Sequence, residues 1–543
     1  MDSNNLNSGS NISEKTASEF ATKEDVKEKE LREAAETITS FNMPKEEFLP
    51  VAVNDNTDNY IKRIILCLIY AIFFTFCLYK NHTGITYPLF ALATIVSYVL
   101  LLKASKEKVK VFSYFLMAII MVLSVNVCTT TSIPLIVFDK IFVFALFFVM
   151  FLNNLYDDKT WDVTRYFASA FTVIFSSIVY FIDPILDPIR ISKNSEGKTE
   201  EQKKASKKKL ATFGYVLAGI GISVPILCVV LPLLSSSDAV FSHVLKKVFT
   251  VNIDADLIGV FFLSLLIFIV GYAMLKRLHF RINWMESPVK DLRTFNPAVA
   301  ITISSVLLVF YGLYSVIQIV FLFLGFGTLP EGYTYANYAR EGFFQLVFVC
   351  IINLILVLIC RKFSKDNIVL RIMLTLISVC TFIMIFSSAY RMILYIGVYG
   401  LTFLRVYVLW ALTVIALAMM GTVIFVYKDK MPFVKYSIIV LTLTWAIFGI
   451  AHPDVYIAKY NLNLKTGERY VIRELSDDAI PVIFEHMDEL ESNEKMNDNL
   501  KWFDNYLTGY SEPEDYRHFN FAKHKIYKAV KEYNQNKQVK EAE

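Results

Sequence analysis

Four signatures of soluble catalysis are missing from this chain: no HExxH, no GxSxG, no Walker lysine loop and no GxGxxG occurs in it. Charge is scarce, at 19% of residues against about 25% in soluble domains. None of the seven histidines falls in the middle of an apolar run, which argues against an embedded metal centre or histidine base. The seven cysteines have no CxxC spacing and lie within apolar runs, never in the terminal regions, so they read as small buried hydrophobes. No metal, cofactor or catalytic residue is therefore expected. No cleavable signal peptide is expected, because some sixty polar residues precede the first apolar run. The first span is expected to act as its own insertion signal.

What the chain does have is apolar length. Hydrophobic residues make up 55% and phenylalanine alone numbers 45. Apolar runs able to cross about 30 Å of hydrocarbon fall at 62–80, 84–102, 111–129, 133–152, 210–234, 255–275, 298–324, 342–360, 371–393, 403–427 and 433–450. This predicts an all-α polytopic membrane protein of about eleven transmembrane helices with a small C-terminal extramembrane domain. A twelfth run, Tyr166 to Ile182, is short and ends in Asp183-Pro184 and Asp187-Pro188.

Charge distribution sets the expected topology. Residues 1–59 carry 13 acidic and 6 basic side chains, and residues 451–543 carry 18 and 13. The totals of 50 and 54 leave 19 acidic against 35 basic in the middle, a net of +16 hidden within an overall +4. Such an excess between apolar segments marks cytoplasmic loops rather than nucleic-acid binding. With eleven spans, the basic clusters near Lys62, Lys103–Lys110, Arg190–Lys209, Lys276–Arg293, Arg361–Arg371 and Lys428–Lys435 all fall on the side of the N-terminus. Counting Tyr166–Ile182 as a crossing would split them between two sides, so it is read as a re-entrant or interfacial helix.

The expected organisation is a disordered acidic tail over 1–60, four spans over 61–152 and a cytoplasmic linker over 153–209. Seven spans over 210–450, an extramembrane domain over 451–533 and a disordered tail over 534–543 complete it. The stretch from His452 to Leu475 reads as extended and edge-like. Ser476 reads as a helix cap before Asp477 and Asp478, and further short helices fit the stretch ending at Gly509 and Phe521–Tyr533. The multi-pass chain is expected in a bacterial cytoplasmic membrane, N-terminus inside and C-terminal domain outside. Its partners are then the lipid bilayer, anionic lipid at Arg190–Lys209 and a protein not identified by the sequence.

Candidate functional residues gather at the outer edge of the predicted spans. Tyr338, Glu341 and Gln345 share one helix face, and Arg391, Tyr395 and Tyr399 share another, with Arg405 opening the next span. Tyr335 and Arg340 belong to the same cluster. Glu341 is placed to neutralise Arg391 or Arg405. The cluster is either an aromatic belt with one structural ion pair or a ligand or headgroup pocket. Mid-membrane acids are read as lacking, which counts against transport.

The stretches LPEGYTYANYAREGFFQL, SSAYRMILYIGVYGLTFLRVYVLW, and HPDVYIAKYN with ELSDDAIP resemble one bacterial polytopic membrane family. It is known only as a domain of unknown function, of the four-one-seven-three type and related to the four-one-five-three type. The resemblance runs from about Ile61 to Lys528. It departs at His452, where Asn is expected before Pro-Asp. It implies an integral membrane protein and supplies no activity. Three function classes remain: a non-enzymatic sensor, accessory or ligand-binding protein; a transporter of a small or lipid-like solute; and an enzyme on lipid-linked substrates with Glu341 or Asp454 as base.

Overall fold

The computed structural model describes, apart from a few single positions, residues 57–187, 255–279, 293–320, 343–464, 474–487 and 516–542. The described chain is helical throughout, with one isolated bridge between Phe295 and Ser364. Ten helices are long and apolar enough to cross a membrane. They are α1 (Thr57–Leu78), α2 (Thr86–Ala104), α3 (Val111–Thr129), α4 (Ile133–Leu155), α6 (Ala255–His279), α7 (Pro297–Gln318), α8 (Phe343–Phe363), α9 (Ile368–Tyr399), α10 (Phe403–Tyr427) and α11 (Phe433–Ile450). Between α4 and α6 lies the shorter α5 (Val163–Val179).

The bundle turns apolar side chains outward and keeps its polar ones inside, among a largely apolar core. Along α1, Ile61, Ile65, Leu68, Ile72 and Phe76 are exposed while Arg63, Cys67, Ala71 and Thr75 are buried. Along α9, Ser378, Thr381, Ser387 and Ser388 are buried while Ile372, Leu376, Val379, Phe386 and Ile393 are exposed. In water this pattern would expose far more apolar surface than a soluble monomer tolerates. In lipid it is the favourable one, because buried hydroxyls find partners inside and apolar side chains face hydrocarbon. Several of the buried hydroxyls bond back to carbonyls one turn earlier, as Ser378 does to Leu374 O at 2.9 Å and Thr381 to Ile377 O at 2.7 Å. The chain is a multi-pass membrane protein.

Contacts sort the loops into two ends. At one end basic residues meet acids or carbonyls. Lys435 Nζ lies 2.8 Å from Asp158, Lys362 pairs with Asp162, and Arg293 and Arg361 share Asp429. Lys276 Nζ lies 2.9 Å from Asp183 and 2.6 Å from Asp187. At the other end the C-terminal helices dock: α12 (Pro453–Asn463), α13 (Ile480–Glu485) and α14 (Phe521–Ala542). They enclose a small core of Ala458, Leu462, Ile480, Ile483, Met487, Ile526 and Val530. The two are called below the basic end and the domain end.

Helix α5 does not cross. Asp162, just before it, pairs with Lys362, and Asp183, just after it, pairs with Lys276, so both of its ends are pinned at the basic end. It is the most amphipathic of the described membrane-region helices. Phe167, Phe171 and Phe175 are exposed along one face, and Tyr166, Ser169, Val173 and Ser177 are buried along the other. That is the build of a helix lying in the interface. Asp187 sits at the basic end, whereas Asp256 meets Lys80 at the domain end. The chain therefore changes ends between them, in the interval holding the run 210–234, which falls almost entirely outside the described residues. Arg190–Lys209 also lies outside them.

Three local expectations are corrected. Of the stretch from His452 to Leu475, Pro453–Asn463 is helical rather than extended, and 465–473 lie outside the described residues: Pro453 opens α12 at N1 and Asp454 stands in its first turn, the two residue types that favour a helix start. The β-branched and aromatic residues Val455, Tyr456 and Ile457 gave the misleading strand signal. Ser476 makes no cap bond to its helix; its hydroxyl donates to Asp454 Oδ2 at 2.5 Å instead. The last helix continues through the stretch from 534 to Ala542.

Candidate functional site

The turn joining α9 to α10 organises the domain end. Gly400 ends α9 at φ 74° and ψ −173°, a backbone conformation open essentially only to glycine. A Cβ there would also come within 2.7 Å of Asn461 Oδ1, so both backbone and packing require glycine. Thr402 then caps α10 by accepting from Arg405 N at 3.3 Å. The Arg405 guanidinium turns back and donates to Tyr399 O at 2.9 Å and to Gly400 O. These are carbonyls left open at a helix C-terminus, where positive charge is favoured. The same guanidinium lies 4.4 Å from the centre of the Tyr395 ring, a cation–π contact, and Tyr395 packs on Tyr399 with ring centres 4.8 Å apart.

Beside this turn a cavity of about 200 Å³ is lined by Phe343, Phe344, Met392, Tyr395, Thr402, Leu404, Arg405 and Val408. It is apolar, with the Arg405 cation and the polar residues Tyr395 and Thr402 at its edge. Of the sequence-derived cluster, Tyr395 and Arg405 meet here, and Tyr399 supports them through its ring and carbonyl. Gln345 is exposed on α8 outside the lining. Arg391 turns away toward α7: its guanidinium donates to Gln318 Oε1 at 3.2 Å, which also accepts from Ser387 at 2.6 Å. Tyr335, Tyr338, Arg340 and Glu341 lie outside the described residues.

The cavity and the C-terminal helices share one loop. Asn461 of α12 accepts from Leu401 N and donates to Leu401 O, each at 2.8 Å. A second joint forms around Asp478, which accepts from Thr131 N at 2.9 Å, from the Thr131 hydroxyl at 2.8 Å and from the Thr130 hydroxyl at 2.5 Å. His452 Nδ1 lies 3.7 Å from Asp478. Burial alone would raise the Asp478 carboxyl, but these hydrogen bonds, His452's first, outweigh it and hold it below the usual range. Asp454 responds in the opposite sense. Burial pushes it up, with the Asp478 charge adding to the rise, and the bond from Ser476 only partly offsets them. Asn520 Nδ2 completes the docking by donating to Thr83 O at 3.0 Å.

His452 occupies the left-handed region at φ 47°. Asparagine adopts that conformation more readily than most residues, a physical reason for the asparagine expected there from the resemblance.

One residue was missed from sequence. Asp139 stands inside the run 133–152, is fully buried in α4, and accepts from Trp445 Nε1 at 2.8 Å and Asn126 Nδ2 at 2.5 Å. The reading that mid-membrane acids are lacking passes over it, because it stands toward the domain end of the run rather than at its middle. Its signal was a lone Asp-Lys pair interrupting an apolar run.

The family described as a domain of unknown function (DUF4153) matches residues 111–486. This is the four-one-five-three type, so the nearer assignment to the four-one-seven-three type is corrected to its relative. No curated protein and no solved structure matches the chain.

Proposed function

We propose that this chain, which belongs to that family of unknown function, is a non-enzymatic ligand-binding membrane protein. Its basic end faces the cytoplasm, and its C-terminal helices form an extracytoplasmic domain from about residue 451. The observation that carries the ligand reading is the apolar cavity edged by Arg405, Tyr395 and Thr402. An apolar pocket with one fixed cation suits an amphiphile whose head is anionic: a lipid headgroup or a lipid-like metabolite. The pocket abuts the turn that Asn461 grips, so occupancy would be felt by α12. That gives a sensor or accessory role a physical route. Asp454, the alternative base for an enzyme, is only 3% exposed and bonded to Ser476, a structural placement.

The test is thermal stabilisation in delipidated detergent micelles by a short-chain phospholipid with an anionic head, against its zwitterionic counterpart. Preferential stabilisation by the anionic lipid, weakened by salt and lost in Arg405→Met, supports the reading. Equal stabilisation by both lipids, or an unchanged preference in Arg405→Met, rules the pocket out.

A further inference from the structure

Asp139 lies six residues into α4, about 9 Å along the helix from its start, beneath the joint where the C-terminal helices dock. It is fully buried, and among the described residues no basic side chain pairs with it. Its two oxygens are met only by neutral N–H groups, those of Trp445 and Asn126. Its chain neighbour Lys140 points elsewhere, 5.8 Å from the centre of the Tyr87 ring. An acid at this depth is costly when charged, and protein interiors resolve such cases by pairing or by neutralising the group. Pairing is not observed.

A second observation points to what neutralises it. Asn126 is 3% exposed, and its carbonyl oxygen is buried with no hydrogen-bond partner. The position is built for this amide: a side chain on Gly449 would come within 2.4 Å of Asn126 Nδ2. The two ends of an amide are nearly isosteric. Turned over, Asn126 would present its carbonyl to Asp139, a bond that requires a proton on the carboxyl. The 2.5 Å separation suits an O–H···O bond. The Asp139–Asn126 contact can thus be hydrogen-bonded in two arrangements, differing by one proton and one amide rotation.

We propose that Asp139 is a reversible proton-binding site within the membrane bundle. Its carboxylate takes a proton from the domain-end solvent to become the neutral acid, and returns it with no other bond made or broken. The groups around it are neutral or remote. Cys128 lies on α3, Tyr87 on α2, Tyr407 on α10 and Trp445 on α11, while His452, Asp454 and Asp478 lie in the joint above. Proton binding here is chemistry used by proton-coupled transport and by pH-gated signalling. It rests on residues distinct from the Arg405 pocket.

Infrared difference spectroscopy of the full chain in bilayer nanodiscs, between alkaline and acid pH, tests this. The expected result is a protonated-carboxyl stretch that grows on acidification, shifts in deuterium oxide and disappears in Asp139→Asn. Asp139→Glu should retain the band at a shifted frequency, which keeps the test valid if the asparagine variant folds poorly. Asp454→Asn should leave the band in place. A spectrum in which the band does not titrate, or in which Asp139→Asn leaves it intact, overturns the proposal.

Discussion

Asn461 holds the main chain of Leu401 by both ends of its amide, accepting from the N–H and donating to the carbonyl at 2.8 Å each. This is the tightest described link between the membrane bundle and the C-terminal helices at the α9–α10 turn. Asn461 is 2% exposed, so truncation leaves two backbone groups without partners. Asn461→Ala is expected to cost about 1–3 kcal/mol, measured as the shift in unfolding midpoint in detergent. Asn461→Asp should cost at least as much, because the carboxylate faces the Leu401 carbonyl it can no longer satisfy. No loss in either variant would show that the turn is held by other contacts.

Lys276 bridges Asp183 and Asp187 in a buried cluster, with Tyr272 donating to Asp187 at 2.9 Å. Removing one member of such a set strands the opposite charge, at roughly 3–5 kcal/mol. Lys276→Met should therefore be strongly destabilising. Adding Asp183→Asn and Asp187→Asn to it should recover part of the loss. That positive coupling, read from thermal stability across the set, distinguishes a charge cluster from simple packing. Strictly additive losses would contradict it.

Acidification should loosen the docked helices through Asp478. Its carboxyl is held below the usual range in the folded state, so it contributes stability at neutral pH that is lost as pH falls through that lowered value. Asp454 acts in the opposite sense. Its raised carboxyl favours the folded state most at low pH and loses that contribution as pH rises through its folded value. Asp478→Asn should therefore flatten the acid side of a pH–stability profile for the C-terminal helices, and Asp454→Asn the weakly acidic side. Profiles unchanged in both variants would remove these two groups from the joint's energetics.

His452→Asn should relieve backbone strain at φ 47° while removing the imidazole beside Asp478. If the backbone term dominates, the variant is at least as stable as the wild type at neutral pH. Differential scanning in detergent checks it, and a loss above about 1 kcal/mol would show that the imidazole contact outweighs the strain, which is itself of order 1–3 kcal/mol for such positions.

Much of this molecule was legible in its apolar runs. Length and hydropathy are set by the thickness of hydrocarbon, so the ten described spans stand where the runs stand. The interfacial α5 was legible too, because the positions of the basic loops left no room for a twelfth crossing. What was not legible follows from the same cause. In lipid-facing helices polarity is inverted, and single buried residues such as Asp139, Asn126 and Asn353 carry specificity without any periodic signal. Helix α12 misled through its β-branched and aromatic residues, although its Pro453-Asp454 start was the better guide. The candidate site was legible by residue type at Tyr395 and Arg405. Arg391, one turn from Tyr395 on the same helix, was assigned to the same surface but engages Gln318 on α7; helical spacing cannot tell which neighbour a face meets.

The Arg405 cavity and the C-terminal helices meet at the turn around Leu401. Hydrogen exchange of the full chain in nanodiscs, with and without a saturating short-chain anionic phospholipid, tests this link most directly. The expected result is slower exchange both at 399–408 and along α12 in the wild type, with the α12 effect lost in Asn461→Ala while the effect at 399–408 persists. Slowed exchange at 399–408 with α12 unchanged in the wild type would contradict it.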